Sequence, residues 1–348
     1  MIFPKIKVPV LQNRVFLKKE DAINSEYGYI QIEKNQENGI YENILFDDDK
    51  LIYDHNYDNE QSNSLIFQNH LKNVIEVIKP YIIGKKVVEV GCGKGHFFKK
   101  LLELNIDVYG CDPTYEGDDS RIYKQFFSKE LNLNGDLIIL RHVLEHVKNP
   151  IEFISYISNC NQNKGLIYIE VPDFNWIIKN QTYFDLFYEH VNYFRPNDFQ
   201  NMFNKIIKQG NFFNDQYQYI IADLANFIKP KKFIKSKESI VISLDKLYNL
   251  INELIIYTDK NIFIWGAASK GVIANIHLSN NNIKVTALID INPNKQNKFS
   301  ALTGTKIISP KEFKLIGKNS ILLIANLDYE EEIEEELKDI DNIYFINL

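Results

Sequence analysis

Gly91, Gly93 and Gly95 alternate in VVEVGCGKGHFFKKLLE, directly after an apolar run that ends in an acid. The chain has 15 glycines in 348 residues, so three within five positions need a local cause. Such a turn lets backbone N–H groups approach a ligand, because no Cβ intervenes and positive φ is open. Glu89, just before the turn, argues against a phosphate ligand, and no G-K-[ST] follows to make a P-loop. A ligand-free strand-to-helix turn needs one glycine or two, so the pattern favours a nucleoside-type cofactor. NIDVYGCDP (105–113) reads as a second strand ending in Asp112, whose carboxylate can accept hydrogen bonds from both hydroxyls of a ribose. A dinucleotide site would need G-x-G-x-x-G, and here the third glycine comes one residue early.

Two further clusters carry titratable groups. In YEHVNYF (188–194), His190 has a side chain whose ordinary pKa of about 6.5 suits proton transfer near neutral pH. On a helix Tyr193 would share its face, whereas Glu189 would point elsewhere. The opposing reading is an aromatic core with Tyr183, Phe184, Phe187 and Phe194 around a structural histidine. In RHVLEHV, His142 and His146 stand four apart with Glu145 between them, a spacing that suggests a metal pair. The sequence supplies no evident third ligand, so no metal is expected; His142 is read as an active-site wall and His146 as structural. Arg141 either lines the same pocket or makes an exposed ion pair.

The elements that position these groups form an α/β pattern. The helix LIFQNHLKNVIEVIKP leads into the first strand, DLIILRHVLEHVKNP (136–150) gives a strand and a short helix, and GLIYIEVPD (165–173) a fifth strand. The aromatic stretch from Trp176 to Phe203 is expected to be a helical insertion. KPKKFIKSKES (229–239) reads as an exposed connector, followed by an amphipathic run. NIFIWGAASKGVIANIHLS then repeats strand, glycine turn and helix, with Gly266, Lys270 and Gly271, and KVTALIDINPNK ends a strand at Asp290. This is a second, smaller Rossmann-like unit whose G-A-A-S-K-G lacks a full dinucleotide fingerprint. Lys270 either reaches a phosphate or is exposed. The expected organisation is an N-terminal region (1–65), a central Rossmann-like domain with an aromatic insertion (66–228), a linker and helix (229–258) and a C-terminal Rossmann-like α/β domain (259–348).

Composition sets the frame. The net charge of −6 gives no sign of nucleic-acid or anionic-membrane binding, and no apolar run reaches membrane-spanning length. Cys92, Cys111 and Cys160 are too few and too scattered for a disulfide framework or a four-cysteine zinc site. MIFPKIKVPV has no extended apolar core or cleavage site, so no signal peptide is read and a cytoplasmic protein is expected.

The glycine turn, Asp112 and D-x-I-x-x-x-x-V-L-E-H resemble the class I S-adenosylmethionine (SAM)-dependent methyltransferases over roughly residues 70–225. The resemblance implies that Gly91, Gly93 and Gly95 pass under the methionine part of SAM, that Asp112 holds the ribose, and that Gln125–Ser128, with Phe126 and Phe127, flank the adenine. Glu89, Arg141 and His142 join that cofactor set. With YEHVNYF, IEVPDF (169–174) and WGAASKG added, the chain looks like the nucleotide-sugar C-methyltransferase family along nearly its whole length. That likeness implies a nucleotide-linked sugar between the central domain and its two neighbours, His190 as general base, Glu189 and Tyr193 at the acceptor, and Tyr57, Gln61 and Lys270 as substrate contacts. For Tyr57 and Gln61 an ordinary surface loop is the opposing reading. Two departures stand out. The paired zinc cysteines that open most members are absent, so the N-terminal region is expected to persist without metal. Phe187 replaces the tyrosine that many C-methylating relatives carry, which leaves O-methylation open. The implied activity is C- or O-methylation in modified-sugar synthesis for a surface polysaccharide or glycoconjugate, by a monomer or homodimer. A non-nucleotide metabolite as acceptor, or a NAD-binding oxidoreductase or bifunctional enzyme through the C-terminal domain, are the alternatives; a SAM-binding scaffold without transfer activity is a third.

Overall fold

The computed structural model describes residues 5–51, 64–230, 242–257 and 259–348. Tyr57, Gln61 and most of the expected connector lie outside the described residues.

The first fifty residues form short paired strands. β1 (Ile6–Pro9) runs antiparallel to β3 (Tyr27–Ile30), and β4 (Ile32–Lys34) pairs with β5 (Tyr41–Asn43). Between them lie β2 (Val15–Phe16) and α1 (Lys19–Ile23). Strands this short bury too little surface to stand alone. They are completed by partners from both other parts of the chain, as described below.

Residues 64–223 form the central domain. α2 (Leu65–Ile78) starts at Ser64, whose hydroxyl accepts from the Phe67 N–H, and buries a stripe through His70, Leu71, Val74, Ile75 and Ile78. Alternating strands and helices follow: β6 (Lys86–Val90), α3 (His96–Glu103), β7 (Asp107–Cys111), β8 (Ile122–Tyr123), β9 (Leu137–Arg141), α4 (Pro150–Cys160) and β10 (Leu166–Pro172). After α5 (Phe174–Asn180), β11 (Asn192–Tyr193) and α6 (Pro196–Gln200) come β12 (Ile206–Phe212) and β13 (Tyr217–Asp223). The sheet order is β12-β13-β10-β9-β6-β7-β8, parallel from β8 to β10 and antiparallel in the last two strands. Leu137 through Leu140 have no exposed surface, because helices cover both faces of a parallel sheet.

The aromatic insertion is not one helix. α5 stops where Gln181 turns left-handed at φ +54°, a single 3₁₀ turn spans Tyr183–Asp185, and Glu189 and His190 lie in irregular backbone. Large aromatics spaced at every interval serve a core that surrounds the chain, so their pattern carries no helical period. β11 pairs with β5 of the N-terminal region, which replaces the hydrogen bonds a helix would have made.

The C-terminal domain is an all-parallel five-stranded sheet with helices. α7 (Asp245–Ile255) precedes β14 (Ile262–Trp265), α8 (Ser269–Asn280), β15 (Ala287–Ile289), β16 (Phe299–Ser300) and β17 (Ile307–Ile308). α9 (Pro310–Ile316), β18 (Ile321–Ile324), α10 (Glu330–Leu337) and β19 (Tyr344–Asn347) complete it, in the order β17-β15-β14-β18-β19. β16 leaves this sheet and pairs with β2. α8 is buried continuously from Gly271 to Leu278, being covered on its outer side by the insertion, where the rings of Tyr183 and His277 meet edge to face at 4.9 Å. A single apolar core runs from Val8 and Tyr41 through Phe174 and Phe184 to Ile264 and Leu288, and so joins all three parts. Among the described residues, no helix is long and apolar enough to cross a membrane.

Candidate active site

The glycine turn joins β6 to α3 in a conformation that glycine alone adopts easily: φ is +74° at Gly91, +52° at Gly93 and +78° at Gly95. A side chain at Gly91 would collide with Val143, 2.4 Å away, so the turn packs under the loop that follows β9. Beside Gly93 nothing lies within 4 Å of where a Cβ would stand. The Gly93 N–H donates to Asp112 at 2.8 Å, and the Thr114 N–H and hydroxyl donate to its other oxygen. Glu89 is 3 % exposed, and its Oε2 has no hydrogen-bond partner. Burial, opposed by Arg141 and reinforced by Asp112, raises its carboxyl to about 7. An orphaned buried acid, an open flank at Gly93 and an acid at the end of the second strand together fit a cationic, ribose-bearing cofactor. Phe126 is exposed and free to cover a base, whereas Phe127 is turned into the core against Tyr156, which removes it from the expected adenine contacts.

Sequence reading missed the group that organises the next layer. Glu170 has no exposed surface, and its carboxylate meets His70 Nε2 at 2.8 Å, His142 Nε2 at 3.2 Å, Arg141 at 3.4 Å and the Tyr168 hydroxyl. Burial alone would raise this carboxyl, but Arg141 and the two histidines hold it well below the usual carboxylate range. The one available signal was an acid interrupting the apolar strand GLIYIEVP. Arg141 is therefore a buried partner of Glu170, stacked 4.6 Å from the Phe97 ring, and makes no exposed ion pair. His142 adopts φ +52°, rare for a residue with a Cβ, and its N–H donates to the Glu170 carbonyl at 2.9 Å. Burial works against its charge, yet the hydrogen bonds to Glu145 and Glu170 prevail and raise it to about 9.

On the far side of His142 lies a cavity of about 230 Å³. The central domain contributes His142, Glu145, His146, Glu189 and His190; the N-terminal region Gln12 and Asn13; the C-terminal domain Ser269, Lys270 and Asn292. Seams cross it: Asn13 donates to Ser269 at 3.0 Å, and Lys270 pairs with Asp185 at 3.1 Å while standing over the Trp176 ring. Lys270 is thus neither exposed nor free; it bridges two domains at the cavity wall.

The YEHVNYF segment is clamped by the N-terminal strands. The Tyr188 hydroxyl accepts from the Asp47 N–H at 2.9 Å, and the Val191 carbonyl from the Asn43 N–H at 2.8 Å. The Tyr188 ring fills the space where Gly28 has no side chain; a Cβ there would lie 2.1 Å from it. His190 faces the cavity between the rings of Phe187 and His146, at 4.8 and 4.9 Å. Burial, aided by His146 and His142, holds it well below its ordinary pKa, so it is neutral and able to accept a proton. Tyr193 is not poised on His190: the ring centroids are 6.3 Å apart and its hydroxyl donates to the Phe187 carbonyl at 3.1 Å. Its expected contact with an acceptor is corrected to a structural one, because β11 turns it into the core. Glu189 is fully buried, and its carbonyl receives the His146 Nδ1 at 2.9 Å.

The C-terminal glycine turn is braced by its own domain and opens on the same cavity through Gly266, Ser269 and Lys270. Asp290 accepts from the Ala267 N–H at 3.0 Å and the Asn292 N–H at 2.8 Å, and Lys295 donates to the Ala267 carbonyl.

Residues 67–206 match the family described as "Methyltransferase domain", and residues 258–344 the family described as "C2185-like, N-terminal". No curated protein matches the chain. Among solved structures the chain is similar to a SAM-dependent methyltransferase from Archaeoglobus fulgidus, at 18% identity over 44% of this chain and 93% of that one, with a TM-score of 0.34. It is also similar to the Burkholderia thailandensis 1,6-didemethyltoxoflavin-N1-methyltransferase with bound 1,6-didemethyltoxoflavin and S-adenosylhomocysteine, at 12% identity over 50% and 80% of the two chains, with a TM-score of 0.35. The glycine turn and the strand order it opens, taken with the family match, make residues 67–206 a class I SAM-dependent methyltransferase domain and the chain a methyltransferase.

Proposed function

We propose that the protein methylates a sugar carried on a nucleotide, at carbon or oxygen, with the acceptor held in the three-sided cavity and His190 taking its proton. The observation that carries this reading is the cavity itself: one wall is the methyltransferase domain, and the others are the N-terminal and C-terminal regions. A small acceptor needs no such assembly, whereas a two-part substrate has a sugar and a nucleotide to hold. The pathway follows from the sequence likeness, as modified-sugar synthesis for a surface polysaccharide or glycoconjugate.

SAM, when bound, supplies a methyl group activated on a sulfonium and leaves as a neutral thioether. Glu89, the three glycines and Asp112 would hold it, with Phe126 at the base. The chain's remaining tasks are alignment and proton removal. The acceptor's proton passes to a ring nitrogen of His190 as its electron pair meets the methyl carbon, so charge balances when the imidazolium later releases that proton to solvent. His142, already protonated and paired with two carboxylates, cannot serve as that base. It presents fixed positive charge beside the cavity instead.

Calorimetric titration with S-adenosylhomocysteine, then with a panel of nucleoside diphosphates, tests the proposal. Binding of both supports it, and the preferred base names the sugar pathway. Binding of the first alone removes the nucleotide from the acceptor. His190→Ala is expected to abolish turnover while leaving S-adenosylhomocysteine affinity nearly unchanged; wild-type-like turnover would refute the assigned base.

A further inference from the structure

The described residues contain two groups of histidine and carboxylate side chains close enough to share a metal ion. The first is His70, His142 and Glu170. Its carboxylate is already taken by Arg141, Tyr168 and both imidazoles, and His70 and Glu170 are buried beyond the cavity, so an ion would find neither free ligands nor access.

The second is Glu145, His146 and His190, whose ligating atoms lie within 4.8 Å of one another. Each is prepared as a ligand by a different part of the fold. The Glu189 carbonyl can only accept, so His146 Nδ1 at 2.9 Å carries the proton and Nε2 keeps its lone pair. Metal-binding histidines are oriented by this type of bond. Glu145 is 1 % exposed; one oxygen faces His142 at 3.3 Å, and the other, Oε2, has no hydrogen-bond partner. A buried carboxylate oxygen without a donor costs free energy unless a cation or proton satisfies it. His190 lies edge-on to His146, and among the described residues no hydrogen bond reaches its ring. All three side chains line the cavity, so positions beyond these ligands would open toward an acceptor.

We infer that Glu145, His146 and His190 bind a divalent transition-metal cation whose open coordination positions face the acceptor. Two imidazoles and one carboxylate suit zinc, manganese, iron or cobalt, with bonds of about 2.0–2.2 Å that a small inward movement of the side chains would reach. The open positions would take acceptor oxygens, a class that includes adjacent sugar hydroxyls. RHVLEHV alone suggested His142 and His146 as a pair; the structure instead pairs His142 with Glu170 and Glu145, and the fold brings His190 from the insertion to Glu145 and His146.

The inference rests on the cavity being the acceptor site and changes the part His190 plays, from free base to ligand. The test is titration of the metal-stripped full chain with Co²⁺, followed by its visible absorption, and with Zn²⁺ and Mn²⁺ by calorimetry. Wild type is expected to bind one ion and to show ligand-field bands. Glu145→Gln and His146→Ala are each expected to weaken binding at least about tenfold, and His190→Ala to lose the bands, with S-adenosylhomocysteine binding retained in all three as the check on folding. No saturable binding by wild type, or binding that the variants leave intact, overturns the site. If His190→Ala loses turnover but keeps the ion, the histidine is a base and no ligand. Failure of S-adenosylhomocysteine to bind would instead strike the cofactor reading, whatever the ion does.

Discussion

Gly28→Ala is the perturbation that most directly probes how the N-terminal region holds the active-site segment. Gly28 has an ordinary negative-side backbone, so an alanine there carries no conformational penalty, and only the contact is tested. Its Cβ would lie 2.1, 2.4 and 2.7 Å from three atoms of the Tyr188 ring, where ordinary contact begins at 3.4 Å. The ring must therefore retreat by more than 1 Å, yet it is fully buried, packs on Phe46 at 5.4 Å and is tethered by the Asp47 N–H. Overpacking of this kind costs about 1–3 kcal/mol and loss of the tether about 0.5–1.5 kcal/mol, so about 2–4 kcal/mol in all. At about 2–4 °C per kcal/mol, the melting temperature should fall by roughly 4–16 °C. Glu189 and His190 follow Tyr188 directly, so turnover should drop as well, while S-adenosylhomocysteine, bound at the glycine turn, keeps its affinity. Thermal melting, calorimetry and a methyl-transfer assay read the three quantities. In a Tyr188→Ala background the same Gly28→Ala step should cost less than about 0.5 kcal/mol, because the colliding ring is gone. A variant that melts and turns over like wild type, or a cost that persists in the Tyr188→Ala background, would refute the argument.

Asp112→Ala should weaken S-adenosylhomocysteine binding by about 1–3 kcal/mol, read by calorimetry as roughly 5- to 150-fold, since ribose hydroxyls and the Gly93 N–H lose their acceptor. Glu170→Leu leaves Arg141 and His142 without their shared counter-charge and His70 without its hydrogen-bond partner, and should destabilise the central domain by about 3–5 kcal/mol in denaturant unfolding; a loss under about 1 kcal/mol would mean that the cluster relaxes to solvent. His277 is buried without a hydrogen-bond partner on Nε2 and is held neutral at about 4 by burial alone. The unfolded chain takes up this proton below about 6.5 and the folded chain only near 4, so stability falls as pH drops across that window, by about 2 kcal/mol at pH 5. His277→Phe should flatten that part of the pH–stability curve, and an unchanged slope would place the acid sensitivity elsewhere.

What could be read from the sequence was local. The glycine turn and Asp112 sit within one strand–turn–helix–strand unit, and residue spacing there fixes geometry. The α/β class followed from the same repeats. The Glu170 cluster escaped because its partners come from α2, β9 and the loop beyond it, a hundred residues apart in the case of His70. The insertion was misread as a helix because its aromatics answer to three surrounding surfaces, and β11 takes its hydrogen bonds from β5, about 150 residues earlier. The meeting of His190 with Glu145 and His146 has the same origin: no spacing within RHVLEHV reveals a ligand delivered from another segment.

The pairing of β2 with β16 has a consequence for how the protein is made. Val15 and Phe16 leave the ribosome long before their partners Phe299 and Ser300. Long-range pairings of this kind form late, after the intervening chain has been closed into a loop. Until then β2 and the apolar underside of the N-terminal strands present an unpaired edge to the cell, the type of surface that invites association. A nascent or truncated chain can therefore fold its central sheet and still lack the cavity. Arrival of the β16 segment, more than folding of any one domain, is the step that completes the cavity.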